Sequence, residues 1–346
     1  MVPIMKLCNR IGWVDRPDAR KQHEGAIPLA GGLTILISLA VTSFMFGLPG
    51  YGWGLIGAAM LVFVVGFIDD KHPMGARYRL ASHLSAAALI VLVDHTQVSY
   101  LGYAFSSIPV SLGWFAIPFS IVAITGVINA FNMVDGVDGL AGGQSFLALV
   151  WLIIAAAAIT IQGGGGDPVN DLGHVLIPLA GAILAFLSFN MRTPWRKKAS
   201  VFLGDGGSML IGVVIAWATI RLANYYSVNG VGSVSLVWII AVPLFDMFGC
   251  IVRRIADGQP PMSADRKHMH HLLMARGLSA GSAVFTMNLA AFLCGFVGVG
   301  GWLAKLPQYW LFWPLIALFA AYAVYARRFW QVFDSQQLVT GKLRTT

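Results

Sequence analysis

Charge is what this chain has least of. Only 11% of its 346 residues are Asp, Glu, Lys or Arg, against 57% hydrophobic residues and a mean hydropathy of +0.73. A soluble domain carries about a quarter charged residues, so a soluble enzyme and a nucleic-acid-binding module are both poor fits. Cysteine is scarce too. Cys8 lies in the N-terminal segment, and Cys250 and Cys294 fall within apolar runs. Three such cysteines argue against a disulfide framework or a thiolate metal site. Residues 1–30 lack the apolar stretch of a cleavable signal peptide, and no internal repeat stands out.

What the chain does hold is apolar sequence of helix-spanning length. Such runs recur at about 31–48, 52–68, 79–95, 113–131, 141–162, 173–190, 207–222, 235–252, 281–303 and 308–327. They are continuous and do not alternate, which favours helices over the strands of a barrel. The expected fold is all-α: one polytopic membrane domain over residues 1–346 with about ten transmembrane helices. Residues 1–30 would form a cytoplasmic N-terminal segment and 328–346 a cytoplasmic tail.

Basic residues orient it. With both termini in the cytoplasm, all of the 23 Lys and Arg except Arg221 and Lys305 fall in inside segments, as the positive-inside rule requires. The net charge of +8 then forms a one-sided surface suited to anionic headgroups and anionic substrates.

The acids are as one-sided. Of 15, only Asp94, Asp167 and Asp171 lie toward the outside. Asp69 and Asp70 close the second run, Asp135 and Asp138 follow the fourth, Asp205 opens the seventh, and Asp246 lies inside the cytoplasmic end of the eighth. Ionisable groups at that depth are costly in hydrocarbon and are retained to bind or react. Carboxylates gathered in one layer suit a hard divalent cation with phosphate oxygens; alone, one such Asp is as readily an N-cap or an interface acid. Asn129, Asn132, Asp135 and Asp138 recur every third residue. On a helix each such step falls about 60° short of a full turn, so the four cannot all face one ligand. A helix ending near Asn132, with the acids turning back toward a cytoplasmic cleft, resolves this, and Gly136 and Gly139 permit the turn.

A second cluster is basic: Arg253-Arg254, then Asp265-Arg266-Lys267-His268-Met-His270-His271. Histidine-rich tracts bind zinc, but no cysteine or glutamate is near in sequence. Arginine, lysine and histidine donors suit phosphate or sugar contact. A third segment, Lys21-Gln-His23 to Pro28-Leu-Ala-Gly31-Gly32, has the character of a loop folded over a site. Arg192, Arg196, Lys197 and Lys198 read as topology signals, and His72, His83, His95 and His174 as interfacial or packing residues.

Five stretches together resemble the polyprenyl-phosphate N-acetylhexosamine-1-phosphate transferase family: Lys21-Gln-His23…Gly31-Gly32, Phe67-Ile-Asp69-Asp70, Asn129-Ala-Phe-Asn132-Met-Val-Asp135-Gly-Val-Asp138-Gly, Phe202-Leu-Gly204-Asp205-Gly-Gly-Ser208, and Asp265 to His271. The His-x-His-His form resembles the branch serving O-antigen and common-antigen synthesis more than the muramyl-pentapeptide branch.

The resemblance implies transfer of GlcNAc-1-phosphate from UDP-GlcNAc to undecaprenyl phosphate with release of UMP, supported by Mg²⁺ or Mn²⁺, at the cytoplasmic face of a bacterial inner membrane. It implies metal ligation by Asp205 and Asp138, catalytic work by Asp69, Asp70, Asp135, Asp138 and His268, and substrate contacts from Lys21, Asn129, Asn132, Arg253, Arg254, Asp265, Arg266, His270 and His271. Direct attack by the lipid phosphate and a covalent aspartyl intermediate are both compatible with it. Another UDP-N-acetylhexosamine is the alternative donor, and a proton-coupled transporter the alternative class. Two departures stand out. The family's Asp-Asp-x-x-Asp reads Asp69-Asp70-Lys71-His72-Pro73 here, and members commonly carry one further span before the point where this chain begins.

Overall fold

In a computed structural model the described residues are 1–16, 25–46, 52–162, 168–193, 195–196, 198–226, 232–263 and 265–339. Lys21 lies outside them. The chain opens with α1 (Val2–Ile11), an amphipathic helix that buries Cys8 and ends at Gly12. A short antiparallel ribbon follows, β1 (Val14–Asp15) with β2 (Ile27–Pro28). Then come α2 (Gly31–Phe46), α3 (Trp53–Asp69) and α4 (Ala76–Leu92). A second ribbon, β3 (Tyr100–Gly102) with β4 (Val110–Ser111), precedes α5 (Ala116–Met133), α6 (Leu140–Ile161) and α7 (Pro168–Asn190). The rest is α8 (Gly204–Tyr226), α9 (Ser233–Ile239), α10 (Ala241–Ala256), α11 (Met269–Ala275), α12 (Ala280–Leu303) and α13 (Gln308–Val339).

Every expected apolar run coincides with helix, but the runs are not alike. Among the described residues six helices are long and apolar enough to cross a membrane, and α9 with α10 makes a seventh candidate, bent by 82°. The apolar helices α2 and α3 are shorter, and α4 carries Arg77, Arg79, Ser82 and His83. By length and composition the described residues thus supply six or seven of the about ten spans expected. The eighth run is a broken helix rather than a straight one, and α13 continues the last run into what the sequence presented as a tail.

The centre of the bundle is α8. In its most apolar window 83% of residues are buried, against 17% for α13, and it packs on α2, α3, α5 and α6. Lipid tails are as apolar as leucine, so helices in a membrane associate through close packing of small residues. Here those residues are the two glycines after Asp205. A Cβ on Gly207 would meet the Gly32 Cα of α2 at 2.7 Å, and one on Gly66 of α3 would meet the Gly206 Cα at 2.6 Å. Two neighbours thus touch α8 backbone to backbone at its first turn. The same glycines that permit this contact bring the end of α3, with Asp69 and Asp70, against Asp205.

Candidate functional site

The acids converge on the N-terminal turn of α8. Asp70, just past α3, accepts the Asp205 backbone N–H at 2.8 Å. It thereby satisfies a donor that a helix start leaves unpaired. Gly204 makes the approach possible: its φ is +77°, and a Cβ there would sit 2.5 Å from Asp70 Oδ2. From the other side Asn132, in the last turn of α5, donates its amide to Asp205 Oδ1 at 2.9 Å and to Ser208 Oγ at 3.0 Å. Asp205 is therefore oriented by a neutral donor on one flank and by an acid held to its own backbone on the other.

The helix α5 ends at Met133, and Asp135 sits in the turn beyond it, as the three-residue spacing predicted. Burial, then the charges of Asp205 and Asp138, push its carboxyl up to about 7. Burial, then the Asp205 charge, push Asp70 up to about 8 despite the backbone N–H it accepts. Crowded carboxylates that hold their protons near neutrality suit a divalent cation, whose charge would let them ionise together.

Asp69 and Asp138 border this centre while each is also held by another partner, and Asn129 faces elsewhere. Asp69 is buried, accepts the Met74 N–H, and lies 3.4 Å from Arg79 Nη1, so it closes the α3–α4 turn while still interacting with Asp205. Asp138 Oδ2 takes Arg192 Nε at 2.9 Å and the Ala199 N–H at 3.3 Å. Nearby, Gly139 donates its N–H to Asn190 Oδ1, and Asn190 donates to the Val201 carbonyl. The turn after α5 is thus tied to the end of α7. Asn129 turns away, donating to Met133 Sδ at 3.1 Å.

The basic cluster is organised from within. Arg253 and Arg254 are both buried and both donate to Asp265 Oδ2 at 2.7 Å. Burial works against the Asp265 charge, but the two arginines hold its carboxyl down to about 2. These three residues brace one another rather than standing open to a ligand. Asp246, grouped by sequence with the acidic layer, instead accepts the Met269 N–H at 2.6 Å and pairs with His268 Nδ1 at 3.0 Å. Burial opposes the His268 charge, yet the Asp246 partner holds its imidazole up to about 10. Burial and neighbouring His271 drive His270 down to about 3, and burial with His268 drives His271 down to about 4. The charge of the three rings thus rests on His268, with exposed Arg266 beside them. His270 is the bridge between the two constellations: a Cβ on Gly136 would lie 3.1 Å from its ring.

Sequence reasoning missed three neighbours of the site residues, Arg192, Arg79 and Cys250, and the partner of a fourth, Asp246. Arg192 looked like a topology signal, since nothing in a basic loop tells which arginine meets an acid 54 positions earlier. Arg79 had no local mark. Asp246 was visible as an acid within a span but not its partner. Cys250, far from the histidines in sequence, brings its Sγ to 3.6 Å from His268 Nδ1, so a cysteine does stand beside the histidine loop.

A family model described as Glycosyl transferase family 4 matches residues 52–223. The chain is 32% identical to a protein of Escherichia coli named undecaprenyl-phosphate alpha-N-acetylglucosaminyl 1-phosphate transferase, over 98% of this chain and 90% of that protein. It is 33% identical to a protein of the same name from Salmonella typhimurium, with the same two coverages. A Bacillus subtilis protein, named probable undecaprenyl-phosphate N-acetylglucosaminyl 1-phosphate transferase, is 32% identical over 85% of this chain and 78% of its own length.

Proposed function

Since the chain belongs to the glycosyl transferase family 4 group of multi-pass membrane proteins, we propose that it transfers GlcNAc-1-phosphate from UDP-GlcNAc to undecaprenyl phosphate, releasing UMP. The observation that carries this reading is the meeting of Asp70, Asp135, Asn132 and Asp205 at the first turn of α8. A lipid phosphate is confined to the headgroup layer while a nucleotide sugar arrives from water. Their reacting atoms must meet where membrane helices end.

Asp205, with Asp70 and Asp135, would hold the divalent cation, Mg²⁺ or Mn²⁺. Bound there, the metal would neutralise charge on the diphosphate. The surrounding residues do the positioning on which phosphoryl transfer depends. Asn132 fixes the Asp205 rotamer. The Asp138–Arg192 contact fixes the turn that carries Asp135, a positioning task in place of the metal ligation that the resemblance implied for Asp138. His268, charged and partly open, and Arg266 offer donors to the donor's phosphates, and Asp246 holds His268 in place. Arg253, Arg254 and Asp265 act by shaping the loop that presents them. The acidic cleft and both termini would face the cytoplasm, as the basic residues favour.

Carboxylates also serve transporters, but there they sit near the bilayer midplane on paired repeats. Here they cap helix ends, and the relatives that match nearly the whole chain are named as transferases. The test is incubation of purified protein with labelled UDP-GlcNAc, undecaprenyl phosphate and Mg²⁺, with EDTA as control. Metal-dependent UMP release and a lipid-linked sugar are expected. Absence of UMP release with every UDP-N-acetylhexosamine offered would sink the reading.

A further inference from the structure

The break between α9 and α10 turns the cytoplasmic half of this helix pair by 82°. Asp246 and Cys250 are four residues apart on α10, so they share one face. The chain then leaves α10, crosses the Arg-braced loop, and returns with His268 against that face. His268 Nδ1 meets two side chains at once, Asp246 Oδ2 at 3.0 Å and Cys250 Sγ at 3.6 Å. One ligand atom from each of the three residues lies within 4.8 Å of the others.

These spacings are those of a metal coordination shell. Tetrahedral zinc holds sulfur at about 2.3 Å and nitrogen at about 2.0 Å, which sets the two ligand atoms about 3.5 Å apart. A carboxylate oxygen and an imidazole nitrogen on the same ion lie about 3.3 Å apart. A second observation concerns His270. It is 1% exposed, neither of its ring nitrogens has a hydrogen-bond partner, it feels the Asp246 charge, and it stacks parallel to His268 with ring centroids 5.7 Å apart. A buried imidazole without a partner thus stacks on the ring of the proposed ligand His268. Arg253, one turn beyond Cys250, is already neutralised by Asp265.

We propose that Asp246, Cys250 and His268 form a second metal site, for a thiophilic divalent cation such as Zn²⁺, distinct from the acidic cluster at α8, and that its occupancy inhibits the enzyme. Thiolate and imidazole select zinc over magnesium, which prefers oxygen. The ion enters from the cytoplasmic side, where the His268 side chain retains 12% exposure. Once ligated, His268 loses its freedom to meet phosphate. That inhibitory consequence rests on the proposed transferase activity; metal binding itself does not.

Two experiments separate the claims. Co²⁺ added to the full-length protein in detergent, with Cys8→Ser and Cys294→Ser introduced, is expected to give a thiolate-to-cobalt charge-transfer band that Zn²⁺ displaces. The band should vanish in Cys250→Ser and in Cys250→Ala. In the UMP-release assay at saturating Mg²⁺, those two variants should keep basal activity, while the Zn²⁺ concentration needed for half-inhibition rises by about tenfold or more. No band in the Cys8→Ser/Cys294→Ser protein, or a band that survives both Cys250 substitutions, overturns the site. A band with Zn²⁺-insensitive turnover overturns only the inhibition. A chain that turns over no substrate yet shows the band removes the transferase reading and leaves the metal site standing.

Discussion

Asp70 accepts the backbone N–H of Asp205 at 2.8 Å: an acid at the end of one helix caps the start of another and at the same time faces that helix's own acid. The cap fixes the distance between two carboxylates, so whatever neutralises one acts on both.

Asp70→Asn should separate the two duties. Asparagine caps helices about as well as aspartate, so thermal unfolding in detergent should change little. Loss of the charge should lower kcat by about 100-fold or more, in the range seen when a preorganised electrostatic contact is removed. UMP release that matches the wild type would take Asp70 out of the chemistry.

Mg²⁺ titration distinguishes ligand from positioning residue at Asp138. If Asp138 holds the turn through Arg192, then Asp138→Asn and Arg192→Ala should each lower kcat while leaving the Mg²⁺ concentration for half-maximal activity unchanged. Asp205→Asn should abolish turnover. Arg192 is 43% exposed in its side chain, so its loss should cost stability about 1 kcal/mol or less. A Mg²⁺ requirement that rises steeply in Asp138→Asn alone would restore Asp138 as a ligand.

Gly66→Ala tests the helix contact that brings the acids together. Its methyl would meet the Asp205–Gly206 backbone, whereas at Gly181 of α7 nothing lies within 4 Å. Overpacking of this kind costs about 1–3 kcal/mol. A lower melting temperature and reduced activity are expected for Gly66→Ala, with Gly181→Ala near wild type. Equal behaviour of the two variants would contradict the close approach.

The His268–Asp246 pair predicts a pH dependence of stability. His268 titrates near 10 when folded and near 6.5 when unfolded. A raised folded pKa contributes stability that is full below about 6.5 and is lost as pH climbs through about 10. Melting temperatures measured with Mg²⁺ present should therefore fall over that window, and His268→Gln should flatten the slope. A variant with the same slope as wild type would assign the dependence elsewhere.

Metal removal should act at the other cluster. Asp70 and Asp135 ionise late, so with EDTA present stability should decline as pH rises toward about 8. Mg²⁺ should restore it, and should restore less in Asp70→Asn with Asp135→Asn. Identical curves with EDTA and with Mg²⁺ would argue against a cation among these acids.

Much of this molecule was legible as sequence because its causes are local. The runs of apolar residues place the helices, and the glycines around Asp135 and Asp205 mark where helices stop and start. The third-residue spacing of Asn132 and Asp135 already required a turn, and the helix does end at Met133. Asn129, one step earlier on the same helix, was carried along by the motif. Its direction depends on where the helix faces, and it turns to Met133.

Partnership was the part that sequence could not carry. Asp69 and Asp70 are adjacent, yet a helix end splits them: one closes its own turn with Arg79, the other caps α8. Asp138 finds Arg192, and Asp246 finds His268 beside Cys250. Burial makes each charge need a partner, and composition can state that need. Which partner answers it is set by how helices lie against each other, and here that follows from backbone contact at Gly66–Gly206 and Gly32–Gly207. The chain thus determined by itself that acids gather where helices end. Only packing decided which acids share a centre, because a carboxylate's role depends on groups a few ångströms away that lie, for Asp70 and Asp205, 135 residues distant along the chain.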